Sequence, residues 1–296
     1  MTVNRAFYPA SRMFGRSARA FSLVELLTAL SVFSLLGIIL VMASQGVGNV
    51  WVSTQNRTNV QQNARAIMDF VTKDLQCALP PLIPESTDNL QLIRNPSSVS
   101  NTYRSGHTLF WQAPVSANES EAGDIAIIGY FIRWNDRKAV LCRLFVSSKQ
   151  EDDYRIGIPD AGPWVDDALL EKLAPASKER NYLGLMAENV VGFWAEPLDA
   201  YGNVIETPPD FDSRQGYVDS AGSTFGPGSL PPAIRVSIAL IAPNSVNLLP
   251  QSLQAKANAA QNADAFLASV LADEALKPIH TSIYTYTTTI TLINSR

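Results

Sequence analysis

FSLVELLTALSVFSLLGIILVMAS, residues 21–44, decides how the rest of the chain is read, because Glu25 is its only charge. The uncharged run 26–44 approaches the ~20 residues that cross ~30 Å of hydrocarbon as a helix. Before it, residues 1–20 carry Arg5, Arg12, Arg16 and Arg19 and no acidic residue. Arginines on one flank only predict that the leader stays cytoplasmic and that the rest of the chain faces the other side. The pattern predicts a single-pass anchor. Glu25 is its anomaly, since a carboxylate within an apolar helix costs on the order of 2.5–3.5 kcal/mol. Either it reaches the headgroups from the membrane edge, or it finds a partner. A cut after Ala20 would give Phe21 a free ammonium one turn away, on this subunit or a packed neighbour, able to neutralise Glu25. The helix N-terminus also favours a negative group there.

A cleaved secretory signal fits less well, because its apolar core is about 7–15 residues. Its cut site would be Val41-Met42-Ala43. An uncut signal anchor is the other alternative. The remaining composition is ordinary: 296 residues, 46% hydrophobic and 17% charged, with a mean hydropathy of +0.03. The net charge of −4 argues against nucleic acid as the partner. Cys77 and Cys142, the only cysteines, are too few for a disulfide scaffold or zinc site. They are candidates for one bridge if the domain lies outside the cytoplasm.

The run Arg19-Ala20-Phe21-Ser22-Leu23-Val24-Glu25-Leu26-Leu27 strongly resembles the processing motif of type IV prepilins and type II secretion pseudopilins. The resemblance implies cleavage after Ala20 by a membrane aspartyl prepilin peptidase, N-methylation of Phe21, and assembly with Glu25 at the subunit interface. Ala20 stands where that family normally has Gly. Using Gly15 instead would put Arg16 first and Glu25 tenth, which breaks the motif. The implied protein is a minor pseudopilin or pilin-like structural subunit, without cofactor or catalytic site. It would initiate or cap a filament of a type II secretion or type IV pilus-like system in the bacterial inner membrane. Its implied partners are the peptidase/N-methyltransferase, other pilins or pseudopilins, and inner-membrane lipid.

Beyond the anchor, Gln45-Gly46-Val47-Gly48-Asn49 interrupts the helical pattern and predicts a kink. Helical spacing resumes with Val60, Ala64, Ile67, Val71, Leu75 and Ala78 on one stripe, stopped by Pro80-Pro81. Strands are expected at 108–113, 125–134, 139–147, 190–196, 233–242 and 281–293, with Asn135-Asp136 as a hairpin turn. Helices are expected at 166–173 and 251–276, and residues 197–232 read as a long irregular connection. The organisation is therefore a basic cytoplasmic leader 1–20, a transmembrane helix 21–44, an amphipathic stem 45–81 and an extracytoplasmic β-rich head 82–296 with an inserted helix 251–276. The expected fold class is α+β, a long N-terminal helix packed on a mainly antiparallel sheet. Tyr130-Phe131-Ile132-Arg133-Trp134 and Leu141-Cys142-Arg143-Leu144 resemble, less specifically, the heads of J-type minor pseudopilins and W-type minor pilins. So do the segment 190–198 and the run from Leu230-Pro231-Pro232 into Ile238. The inserted helix departs from that pattern and is similar to a verrucomicrobial prepilin-like family, cassette protein C.

Catalytic signatures are missing from the sequence: it has no GxSxG, no GxxxxGK[ST], no HExxH and no CxxC. His107 and His280 stand at strand starts and read as surface or strand-edge residues rather than a metal or acid–base pair. Acidic groups occur at Glu151-Asp152-Asp153, at Asp166-Asp167, and at Asp199 with Asp210 and Asp212. The last group is a candidate for calcium, although its spacing is not that of an EF-hand. Trp111, Trp134, Trp164 and Trp194 would make a carbohydrate platform if exposed, but at strand positions they read as core. The competing function class is a signal-anchored extracytoplasmic enzyme or ligand-binding protein using the head as its working domain.

Overall fold

The computed structural model describes residues 22–79, 91–114, 125–135, 138–148, 150, 152–155, 163–173, 184–206, 210–250 and 252–295. The chain divides into two units, Met1–Thr54 and Gln55–Arg296. Helix α1, Leu23–Gln76, supplies the first unit's described structure and opens the second. It is assigned as helix through Gly46 and Gly48, so the expected interruption at 45–49 does not occur. Two glycines cost only about 1 kcal/mol each against alanine, too little to stop a helix that continues on both sides.

In the second unit the predicted stripe is the buried one. Val60, Ala64, Ile67, Val71, Leu75 and Ala78 all lie in the main core. The spacing of Val60 to Leu75, three and four residues, keeps those five on one helix face, and Ala78 follows in the turn just past the helix end. Apolar burial along that face holds the helix in place. A five-stranded antiparallel sheet runs in the order β1 (Leu92–Arg94), β2 (Leu109–Ala113), β3 (Ala126–Asn135), β4 (Lys138–Ser147), β5 (Leu185–Glu188). A three-stranded antiparallel sheet has β9 (Ala233–Ile241) between β10 (Ile283–Thr291) and β6 (Val190–Leu198). The six expected strands correspond to β2, β3, β4, β6, β9 and β10, and Asn135 pairs with Lys138 across the β3–β4 turn.

Alternation along β3 divides two cores. Ile128, Tyr130 and Ile132 join the helix stripe, while Ile127 and Phe131 face a second cluster under α2 (Asp167–Leu173) and Tyr103. The chain changes sheets at Asn189, a non-glycine residue in the left-handed region (φ 66°). Its N–H donates to Ala139 O at 2.9 Å, and its carbonyl accepts from Ile241 N–H at 2.9 Å. One residue thus serves a strand of each sheet. Asn tolerates this conformation better than most residues do.

Two head expectations need correction. The single helix at 251–276 is instead α3 (Ser252–Ala259) and α4 (Ala263–Leu271), followed by 3-10 turns over Glu274–Ser282. Asn262 causes the break: its backbone is extended (φ −154°) and its side chain accepts from Ala265 N–H at 2.9 Å, capping α4. The supposed irregular stretch 197–232 also has structure. Asp199 and Asp219 each open a turn by accepting the N–H groups two and four residues on, and β7 (Tyr217–Val218) pairs with β8 (Thr224–Phe225).

Candidate functional site

Glu25 lies in the first turn of α1, and Ser22-x-x-Glu25 forms a capping box. Ser22 N–H donates to the Glu25 carboxylate at 3.0 Å, while the Ser22 hydroxyl accepts from Val24 N–H at 3.3 Å. Reading Glu25 only as a stray charge overlooks this box, although the S-x-x-E spacing signals it. After this turn comes one candidate membrane span, Leu23–Gln45, apolar on every side and with none of its surface buried. Leu23 is 76%, Phe33 75% and Leu40 72% exposed. The hydroxyls of Thr28, Ser31 and Ser34 donate to helix carbonyls at 2.8–2.9 Å. Those bonds remove the penalty of setting bare hydroxyls in hydrocarbon. A helix so exposed and apolar needs lipid or neighbouring helices around it, and it is compatible with a single-pass membrane anchor. Ala20 and Phe21 lie outside the described residues.

The residue that ties the head to its helix is one the sequence does not announce. The Asp74 carboxylate, on α1, accepts from the Tyr130 hydroxyl at 2.6 Å and from the Arg143 guanidinium at 2.6 and 3.1 Å. Its backbone carbonyl accepts from Trp111 Nε1 at 3.3 Å. Burial, then the adjacent Asp74 charge, drives the Tyr130 phenol well above its usual pKa, so it remains a donor. β2, β3 and β4 are thus each fastened to one helical residue.

The other candidates disperse. His107 is half-buried beside β6, its Nδ1 3.1 Å from both N and O of Ala195. Burial, then the Arg94 charge, lowers its pKa to about 3. The ring is therefore neutral at pH 7, and with its proton on Nε2 it accepts the Ala195 N–H. Beside it Ser105 O and His107 N–H bond to Phe193, so this segment covers the β6 edge. Gly106, at φ +94°, lies against Phe193 O, where an added Cβ would be 2.4 Å away. His280 instead contacts Asp273 O at 3.2 Å, and the two histidines do not meet.

The candidate disulfide does not form; Cys77 and Cys142 are free thiols. Cys77 packs on the helix side of the five-stranded sheet and Cys142 belongs to the cluster on its other face. Burial pushes the Cys142 thiol up to about 12. Six of the candidate acidic residues, Asp153, Asp166, Asp167, Asp199, Asp210 and Asp212, are occupied by protein donors, and Asp152 is exposed. Asp199 accepts from the N–H groups of Tyr201, Asn203 and Ser220 at 2.9–3.0 Å, Asp210 pairs with Arg94, and Asp212 with Arg214. The Ser220 hydroxyl first, and these amides with it, lower the Asp199 pKa to about 2. Asp153 pairs with Lys172 and Asp166 with Arg155, while Asp167 accepts from Ser100 N–H. Glu151 lies outside the described residues. Among the described residues no group of three or more His, Cys, Asp or Glu is placed to hold a metal ion. Trp111 and Trp194 are fully buried, and Trp134 and Trp164 are half-buried against the two cores, which leaves no exposed platform.

No family model matches the chain, and no curated protein matches it. Among solved structures it is similar to a type IV-like pilin from Thermus thermophilus, at 10% identity and a TM-score of 0.37, over 80% of this chain and 98% of that one.

Proposed function

We propose that this chain is a minor pseudopilin or pilin-like subunit, structural rather than catalytic, that initiates or caps an inner-membrane filament of a type II secretion or type IV pilus-like system. The observation that carries the reading is Glu25, the single charge in the span Leu23–Gln45, which opens α1 and is otherwise apolar and exposed on every side. The run from Ala20 to Leu27 supports it, through its resemblance to the prepilin processing motif. In this reading prepilin peptidase cuts after Ala20 and methylates Phe21, the leader stays cytoplasmic and the head lies outside. Glu25 then exchanges its cap bond to Ser22 for the Phe21 ammonium of a neighbouring subunit. That exchange makes assembly specific, because an apolar helix alone would associate with any other.

The test is Glu25→Ala, followed by cross-linking to co-expressed prepilins in membranes. Losing the carboxylate leaves the neighbour's ammonium uncompensated in a low-dielectric layer, at ~3 kcal/mol or more. That is more than about a hundredfold in association. The variant is expected to stay in the membrane, be cleaved, and fail to co-assemble, with Glu25→Asp partly rescued. Co-assembly of Glu25→Ala at the wild-type level would overturn the proposal.

A further inference from the structure

Past the apolar span the chain stays uncharged. No charged residue occurs between Glu25 and Arg57, and the stretch after Gln45 combines Gly, Ser, Thr, Asn, Gln and Val with a single aromatic, Trp51. These residues continue α1, and Trp51 is 72% exposed. A tryptophan left open to solvent on a helix is a cost unless something covers its ring.

We infer that Trp51 is the outer interfacial anchor of the membrane helix, its indole seated in the phospholipid headgroup layer. The inference rests on the membrane reading of Leu23–Gln45. The helix supplies the ruler. Glu25 and Trp51 are 26 residues apart, or ~39 Å of helix at ~1.5 Å each. At the ~20° tilt usual for such helices this spans ~37 Å of depth. A bilayer with its headgroup layers is ~40–45 Å thick. With Glu25 at the inner edge of the ~30 Å hydrocarbon core, Trp51 lies ~7 Å past its outer edge, within the outer headgroup layer. Indole prefers that layer, since its apolar body meets the upper acyl chains while its N–H finds water or a lipid oxygen. The polar but uncharged residues around it suit the same depth. They are too polar for the hydrocarbon core, yet carry no charge that would hold them clear of the membrane. Trp51 then fixes how far the helix stands out of the bilayer.

The test uses the full chain in vesicles of phosphatidylethanolamine and phosphatidylglycerol, comparing wild type with Trp51→Phe. Tryptophan emission is measured with a nitroxide quencher on the headgroup and, separately, with bromines deep in the acyl chains. The difference between the two proteins isolates Trp51 from the four other tryptophans. The Trp51 component should be quenched about twofold or more by the headgroup probe relative to the deep one, as an interfacial indole requires. Identical quenching of both proteins, or stronger quenching by the deep bromines, would overturn the assignment; the first result would place the ring against protein or in bulk water. Extraction at alkaline pH tests the membrane reading separately. A chain released by carbonate has no membrane helix, whereas one retained without Trp51 quenching has the helix but not this anchor.

Discussion

Leu23, Phe33 and Leu40 near the start of α1 are exposed, whereas Val60, Ala64, Ile67, Val71 and Leu75 near its end are buried. Both segments are helix, and both are rich in apolar residues. The difference lies in arrangement. The first segment is apolar all round, so no one-sided contact could bury it, and it calls for lipid or other helices on every face. The second gathers Val60, Ala64, Ile67, Val71 and Leu75 on one buried stripe and leaves Arg57, Arg65, Asp69 and Lys73, with Phe70, in solvent. Backbone conformation alone does not distinguish an anchor from a core helix. The pattern of side chains around it does, and the two segments should respond differently to substitution.

The largest effect is expected at Asp74, which fastens the second segment to the sheet. Asp74→Ala would leave the Arg143 guanidinium and the Tyr130 hydroxyl without their acceptor, which costs on the order of 3–5 kcal/mol. Denaturant unfolding of the full chain in detergent should show a head destabilised by about that amount, while membrane fractionation stays unchanged. A head that unfolds at the wild-type midpoint would show that the stripe alone holds the helix.

His107 gives the comparison a pH axis, since the head packs a neutral imidazole against β6. The folded pKa of about 3 lies below the unfolded value of about 6.5. The unfolded chain therefore binds the extra proton between these limits. Stability from this site is complete above pH ~6.5 and falls as the pH drops towards ~3, by at most ~1.4 kcal/mol per pH unit. His107→Gln, which keeps an acceptor but does not titrate, should flatten that slope in urea unfolding between pH 4 and 7. An unchanged slope would assign the acid sensitivity to other groups.

A smaller effect, ~1 kcal/mol, is expected from Asn262→Ala, which removes the cap of α4. Thermal unfolding should register that loss, whereas Asn262→Asp should retain most of the stability. If the alanine variant lost nothing, packing of Phe266 against Trp194 would be setting the break between α3 and α4.

What was legible in the sequence follows the range of each interaction. The stem stripe and six strands were readable because helix and strand burial repeat over a few neighbouring residues. β1 and β5, three and four residues long, offer too short a pattern. The Asp74 contacts join residues 56 and 69 positions apart, with nothing local to mark them. The Asn262 break and the Ser22 capping box do carry local signals, but the first was masked by alanine-rich helical sequence on both sides and the second by the charge of Glu25. The cysteines failed as a bridge because sequence does not show that a sheet lies between them. Of the candidate assembly site, the spacing from Phe21 to Glu25 was readable throughout, since it depends only on residues next to one another.

That spacing carries the central claim, that the anchor helix belongs to a processed filament subunit, and the most direct measurement is the mass of the mature N-terminus. Protein isolated from membranes of a host with an active prepilin peptidase should begin at Phe21, with a methylated amine. A chain that still begins at Met1, or one that begins at Ser44, would contradict it.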